Sequence, residues 1–125
     1  MSAKRRHAVY ADRFCEIIRK INYAMLEFEW DENKNKSNRE KHSISFEKAK
    51  EVFQDENAVE FRGDSSTELR ILRIGKTLSR ILVAVVYTMR SAVIRIISAR
   101  QASKKETKAY LENSLSKQSG DETEN

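Results

Sequence analysis

The sequence predicts an α+β domain of order β-α-α-β-β-β-β-α, with an antiparallel sheet and helices mainly on one face. Three observations predict it. From Asp31 through Ser43 there is no apolar residue, yet strongly patterned segments lie on either side, so the stretch reads as a surface helix. Four strand-like runs then follow one another from Ala58 to Ala99 with no helical pattern between them. Finally, Ser103-Lys104-Lys105-Glu106 is a capping box that opens a last helix.

Taken in order, Leu26 to Trp30 reads as a short strand, and Asp31 is placed to cap a first helix running to about Lys41. Lys34, Asn38 and His42 fall at i, i+4 and i+8, one polar and cationic stripe with no core to face. Ser45 caps a second helix whose Phe46, Ala49, Val52 and Phe53 recur at three and four, so this helix packs. Strands are expected at Ala58 to Arg62, Leu69 to Gly75, Arg80 to Thr88 and Ala92 to Ala99. The third, Ile81-Leu82-Val83-Ala84-Val85-Val86-Tyr87, is apolar without alternation and should be central and covered on both sides. Hairpin turns are expected near Thr77-Leu78-Ser79 and Arg90-Ser91. The last helix turns Tyr110 and Leu111 inward and ends about Leu115.

One core is all that 125 residues need. The domain is expected at 25–116, with an acidic disordered tail at 117–125. Residues 8 to 23 place Tyr10, Phe14, Ile17, Ile18 and Ile21 at helical spacing, and residues 1–24 read either as an added docking helix or as the product of an upstream start codon. No apolar run approaches the roughly 18 residues that a membrane span needs. A lone cysteine, Cys15, excludes an intrachain disulfide and fits a reducing compartment, so the cytoplasm is the expected location. The net charge of +5 is uneven: residues 1–24 carry +4 and the segment from Ser119 to Asn125 carries −3. A basic domain of this kind is compatible with a polyanionic partner such as RNA or DNA.

The usual catalytic signals are mostly absent. His7 and His42 are the only histidines, no Cys or carboxylate cluster has metal spacing, and Gly63, Gly75 and Gly120 stand alone rather than in a phosphate loop. No metal or cofactor is expected. What remains is a set of arginines on or beside apolar strands: Arg70, Arg73, Arg80, Arg90, Arg95 and Arg100. On a concave face they would bind phosphates and offset the charge that develops when a ribose 2′-hydroxyl attacks its own phosphodiester. Such cleavage needs a general base and a general acid, roles open to His42, Tyr87 or a perturbed lysine. Equally, Arg95 is readable as an outward residue on a solvated face, and Arg100 as a partner of Glu68 or Glu106. Tyr87 and Trp30 are more ordinary as core or edge aromatics.

Several blocks occur in a fixed order: Phe28-Glu29-Trp30-Asp31, Lys34, Asn38, Lys41-His42, Ile44-Ser45-Phe46, Ala49, Val52-Phe53 and Asp55, then Arg70, Ile74-Gly75, Tyr87-Thr88, Arg90 and Arg95-Ile96-Ile97-Ser98-Ala99-Arg100. Over residues 25 to about 112 this pattern resembles the BrnT family of bacterial toxins. The resemblance implies a RelE-like fold and a ribonuclease that blocks translation by cutting RNA. It also implies a DNA-binding antitoxin of BrnA type, encoded alongside, which neutralises the toxin in a heterotetramer or another oligomer. That complex represses its own operon, so operator DNA would be reached only through the antitoxin. Carried onto this chain, the resemblance makes Lys34, His42, Arg70, Arg95 and Arg100 the candidate catalytic set, and Asn38, Lys41 and Arg90 candidate RNA contacts. The three catalytic arginines would hold the scissile phosphate, and Lys34 or His42 would move protons or position RNA. Residues 1–24, the acidic tail and the extra arginine Arg73 depart from the pattern.

Two other classes stay open. One is a non-catalytic RNA- or protein-binding module of the same fold; the other, a DNA-binding regulator acting alone, lacks any helix-turn-helix pattern. The antitoxin is expected to be acidic where it meets the arginine face.

Overall fold

The strand that is apolar on both faces takes the centre of the sheet, as the lack of alternation requires. A computed structural model describes residues 25–63 and 68–124, with side chains described through residue 116. The expected readings of residues 1–24 lie outside the described residues. The elements are β1 (Glu27–Glu29), α1 (Glu32–His42), α2 (Phe46–Ala49) continuing as a 3-10 turn (Lys50–Gln54), β2 (Val59–Arg62), β3 (Ile71–Lys76), β4 (Leu82–Arg90), β5 (Val93–Gln101) and α3 (Lys104–Glu124). The backbone of α3 runs past the end expected near Leu115.

Both expected caps of the first helices are made. Asp31 accepts from the Asn33 and Lys34 amides at the start of α1, and Ser45 accepts from the Lys48 amide at the start of α2. Ser43 closes α1 in the left-handed region at φ 61°, its amide donating to the Arg39 carbonyl.

The sheet order is β1-β5-β4-β3-β2. Strands β2 to β5 form the expected antiparallel meander. The first strand corrects the all-antiparallel expectation: β1 pairs parallel to β5, with Phe28 opposite Ile94, so the sheet is mixed. A chain that runs alongside β5 in the same direction can carry on past the end of β1 as α1, and this is what it does.

Two apolar clusters occupy the two faces. On the α2 face, Phe46, Ala49, Val52 and Phe53 pack on Ile71, Val83, Val85, Tyr87, Ile94, Ile96 and Ala99. On the other face, Tyr110 of α3 packs on Val59, Leu72, Ile74 and Ala84. Helices therefore cover both faces rather than mainly one. The cause is legible in β3 and β4, whose alternate residues are apolar in both directions and would leave Leu72, Ile74 and Ala84 in water without α3. The Tyr110 hydroxyl donates to Asp55 at 2.7 Å, tying α3 to the end of the 3-10 turn. Burial and that hydrogen bond push the phenol above its usual range.

Candidate functional site

The residues that could meet a polyanion lie along β5 and its free edge. Strand β1 covers β5 only from Val93 to Arg95. Beyond it the edge is closed by α1, through one side chain. Asn38 donates to the Ala99 carbonyl at 2.7 Å and to the Ile44 carbonyl at 2.9 Å, and accepts from the Ala99 amide at 3.3 Å. Its amide thus serves β5 as a strand would. Asn38 is 8% exposed, so the expected RNA contact is corrected: this residue is part of the scaffold. Asn35, fully buried, works beside it by accepting from the Phe46 amide and donating to Glu32 and Glu47. Sequence reading missed Asn35 altogether.

With Asn38 seated on Ala99, its stripe neighbours fall one helical turn, about 5.4 Å, to either side. Lys34, Lys41 and His42 are exposed. The stripe is therefore not wholly solvated: its middle residue docks on β5 while its outer two are exposed.

On β5 the decisive feature is a bulge. Val86 pairs with Ser98 but Tyr87 with Ile96, so Ile97 is the extra residue. Ile94, Ile96 and Ala99 all reach the α2 face, which leaves Arg95, Ser98 and Arg100 together on the other. Strict alternation would have put Arg95 and Arg100 on opposite faces. Arg90 keeps the parity of Ala84, and Arg70, one residue before β3, the parity of Leu72, so both share this face. The structure thus brings Arg70, Arg90, Arg95 and Arg100 to one side of the sheet, spread over roughly 20 Å at the rise of a strand.

Each of these arginines has an acidic neighbour. Glu68 lies 3.7 Å from Arg70 and 3.8 Å from Arg90. Glu29 lies 3.2 Å from Arg95. Glu106 grips Arg100 through two hydrogen bonds of 2.8 Å while also accepting from the Ser103 amide, so the capping box is part of the same cluster. Arg100 is therefore first of all the link between β5 and α3.

The Arg100 hydrogen bonds pull the Glu106 carboxyl from 4.5 down to about 2, and the same contact raises Arg100 above its usual value. The folded-state value lies below the unfolded one, so the pair stabilises the fold above pH 4.5 and that contribution is lost as the pH falls toward 2. Arg100 is 42% exposed, and water screening limits the contribution to about 1–2 kcal/mol. The expected result is a thermal midpoint that falls more steeply between pH 5 and pH 2.5 in the native chain than in Glu106→Gln. Parallel curves would show that the pair does not hold α3.

Tyr87 is excluded from the site. It is fully buried on the α2 face, where its hydroxyl donates to Glu60. Trp30 packs edge-on against Phe46 at 6.0 Å and donates to Glu32, an anchor rather than a stacking platform. Arg73, the unexpected arginine, is 4% exposed and pairs with Glu60 at 2.9 Å. Among the described residues no three His, Cys, Asp or Glu side chains cluster as a metal site, and no helix is long and apolar enough to cross a membrane.

No curated protein matches the chain. Among solved structures, it is similar to the ribonuclease toxin BrnT of Brucella abortus, with 23% identity and a TM-score of 0.49 over 64% of this chain and all of that one. The family model described as the ribonuclease toxin BrnT of type II toxin-antitoxin systems matches residues 30–106. That match runs from Trp30 through α1, the whole of β2 to β5 and the Ser103–Glu106 cap. With well over half the chain matched, the protein belongs to the BrnT family of type II toxin-antitoxin systems.

Proposed function

We propose that this chain is the toxin of its pair, an endoribonuclease that cuts RNA without a metal, inhibits translation in the cytoplasm and is neutralised by a BrnA-type antitoxin. The RelE-like character of its fold is part of the same reading. The observation that carries it is the Ile97 bulge, because a strand that breaks its alternation to gather Arg95, Ser98 and Arg100 on one face supports a phosphate-binding surface. The α1 helix supports it independently. Glu32–His42 contains no apolar side chain, is tied to β5 through Asn38, and leaves Lys34, Lys41 and His42 exposed.

In this reading a single RNA strand lies across β5, with Arg70, Arg90 and Arg95 on phosphates at one end and His42 and Lys41 at the other. The 2′-oxygen attacks the adjoining phosphorus while its proton passes to a base, for which the exposed His42 is the candidate. The 5′-oxygen leaves with a proton, and the negative charge on the phosphoryl oxygens is met by guanidinium groups. Glu68 and Glu29 hold Arg70, Arg90 and Arg95 at 3.2 to 3.8 Å, long enough for a phosphate to compete. Arg100, held bidentately, positions α3 and serves the phosphate second.

The test is incubation of the full chain with total RNA in EDTA beside His42→Ala and Arg95→Ala, each shown by circular dichroism to melt like the native chain. Removing His42 is expected to slow cleavage about 100-fold, the scale of a lost general acid or base. Absence of cutting by the native chain, with RNA still bound, would replace this reading with a binding module of the same fold. The carboxylates beside all four arginines are what favour that second reading.

A further inference from the structure

The arginine face is the expected place for an acidic antitoxin to bind, yet its cations already have carboxylate neighbours. A different surface combines cations free of ion pairs with apolar area. On α3, Leu111 is 48% exposed and Leu115 62% exposed. With Ala102 and Thr107 they line a surface cavity of about 400 Å³, together with Lys104, Lys108 and the acidic Glu112. Lys104, Lys108, Leu111 and Leu115 recur at four, three and four, one continuous stripe of the helix. Tyr110 packs into the sheet as expected, whereas Leu111, expected to turn inward with it, is half exposed and outside the core clusters. Among the described residues neither lysine has an ion-pair partner.

We propose that this groove is the docking site of an amphipathic acidic helix of the antitoxin, which lays apolar residues on Leu111 and Leu115 and carboxylates on Lys104 and Lys108. The inference rests on the toxin reading above. Charge selects the occupant. The chain's own residues 1–24, with apolar residues at helical spacing, carry +4 and would bring cations to a cationic border. An RNA strand would find the charges but leave the leucines uncovered. The contrast with α1 is instructive: that helix offers cations and no apolar residue, as suits a phosphate backbone, whereas α3 offers both, as suits a protein helix. A helix seated here would lie next to Glu106 and the Arg100 link without covering β5 itself, so binding at the groove and RNA binding are separable.

The experiment uses the full chain and the antitoxin protein encoded beside it, with affinity read by calorimetry and RNA binding and cutting read in parallel. The double variant Leu111→Asp/Leu115→Asp is expected to weaken antitoxin binding at least 100-fold while RNA binding stays unchanged and the melting temperature drops by only a few degrees, since one side chain is half exposed and the other mostly exposed. Lys104→Glu/Lys108→Glu is expected to weaken it about tenfold and to flatten its salt dependence. If the native chain binds the antitoxin and both variants bind it equally well, the groove proposal is overturned and the toxin reading stands. If the native chain does not bind that antitoxin at all, both fail together. A native dimer that the leucine variant splits, with antitoxin affinity unchanged, would assign the groove to a second copy of this chain instead.

Discussion

Glu60→Ala is expected to destabilise the fold by about 3–5 kcal/mol, enough to unfold much of the protein at physiological temperature. Glu60 is 2% exposed and Arg73 4% exposed, and a single carboxylate oxygen, Oε2, accepts from both the Arg73 guanidinium and the Tyr87 hydroxyl. The guanidinium is otherwise well placed, donating to the Val52 and Asp55 carbonyls at 3.1 Å and lying 5.0 Å from the Phe53 ring centre. Removing Glu60 takes away the carboxylate that Arg73 holds at 2.9 Å and leaves that cation buried. The pair as a whole is worth far less than its breakage, because both charges were taken out of water to form it. Glu60→Leu combined with Arg73→Met should therefore be closer to the native chain than Glu60→Ala alone. Urea denaturation of the three variants checks this; a Glu60→Ala loss under about 1 kcal/mol would show that water reaches the pair.

Asn38→Ala should cost about 2–4 kcal/mol, from a side chain on a helix that carries no apolar residue. Its loss strips partners from the Ala99 amide and from the Ala99 and Ile44 carbonyls in one step, at a position 8% exposed. Asn38→Asp should be worse than its similar shape suggests, since it turns the donor that faces two carbonyls into another acceptor. The site-resolved readout is hydrogen exchange. The Ala99 amide should lose protection in Asn38→Ala well before amides of β3 do, because α1 would detach from the β5 edge while the meander persists. Unchanged exchange at Ala99 would mean that the edge is closed by something else.

The two residues behind these predictions mark where sequence reading stops. Apolar periodicity located the meander, placed β4 at its centre and found the caps at Asp31, Ser45 and Ser103. It could not give Asn38 its scaffold role or find Asn35, because a side chain that hydrogen-bonds to distant backbone leaves no period in the sequence, and a polar run looks solvated whether or not two of its members are buried. In the sequence Arg73 reads as one of the strand arginines and as a departure from the family pattern, not as half of a buried pair. Its partner Glu60 sits in an apolar strand thirteen residues earlier, and nothing local joins the two. The parallel placement of β1 and the second helix-covered face likewise depend on contacts between remote segments.

The candidate site was legible in its residue types and not in its arrangement. Arg95 and Arg100 are five residues apart, a spacing that alternation assigns to opposite faces; only the extra residue at Ile97 reverses this. Arg100 illustrates the limit from the other side, since Glu106 belongs to a helix-capping pattern and, at the same time, holds the strongest ion pair of the cluster.

The pairing of β1 with β5 also bears on when this protein can become itself. Glu29 and Arg95 are neighbours in space and 66 residues apart in the chain. During synthesis the first strand must wait, unpaired, until nearly the whole domain has left the ribosome, and closing so long a loop is what slows a fold rich in remote contacts. The edge on which α1 docks, and with it the positions of Lys34 and His42, does not exist before β5 is in place. A nascent or prematurely ended chain of this toxin is thus incomplete at the very surface proposed to harm its host.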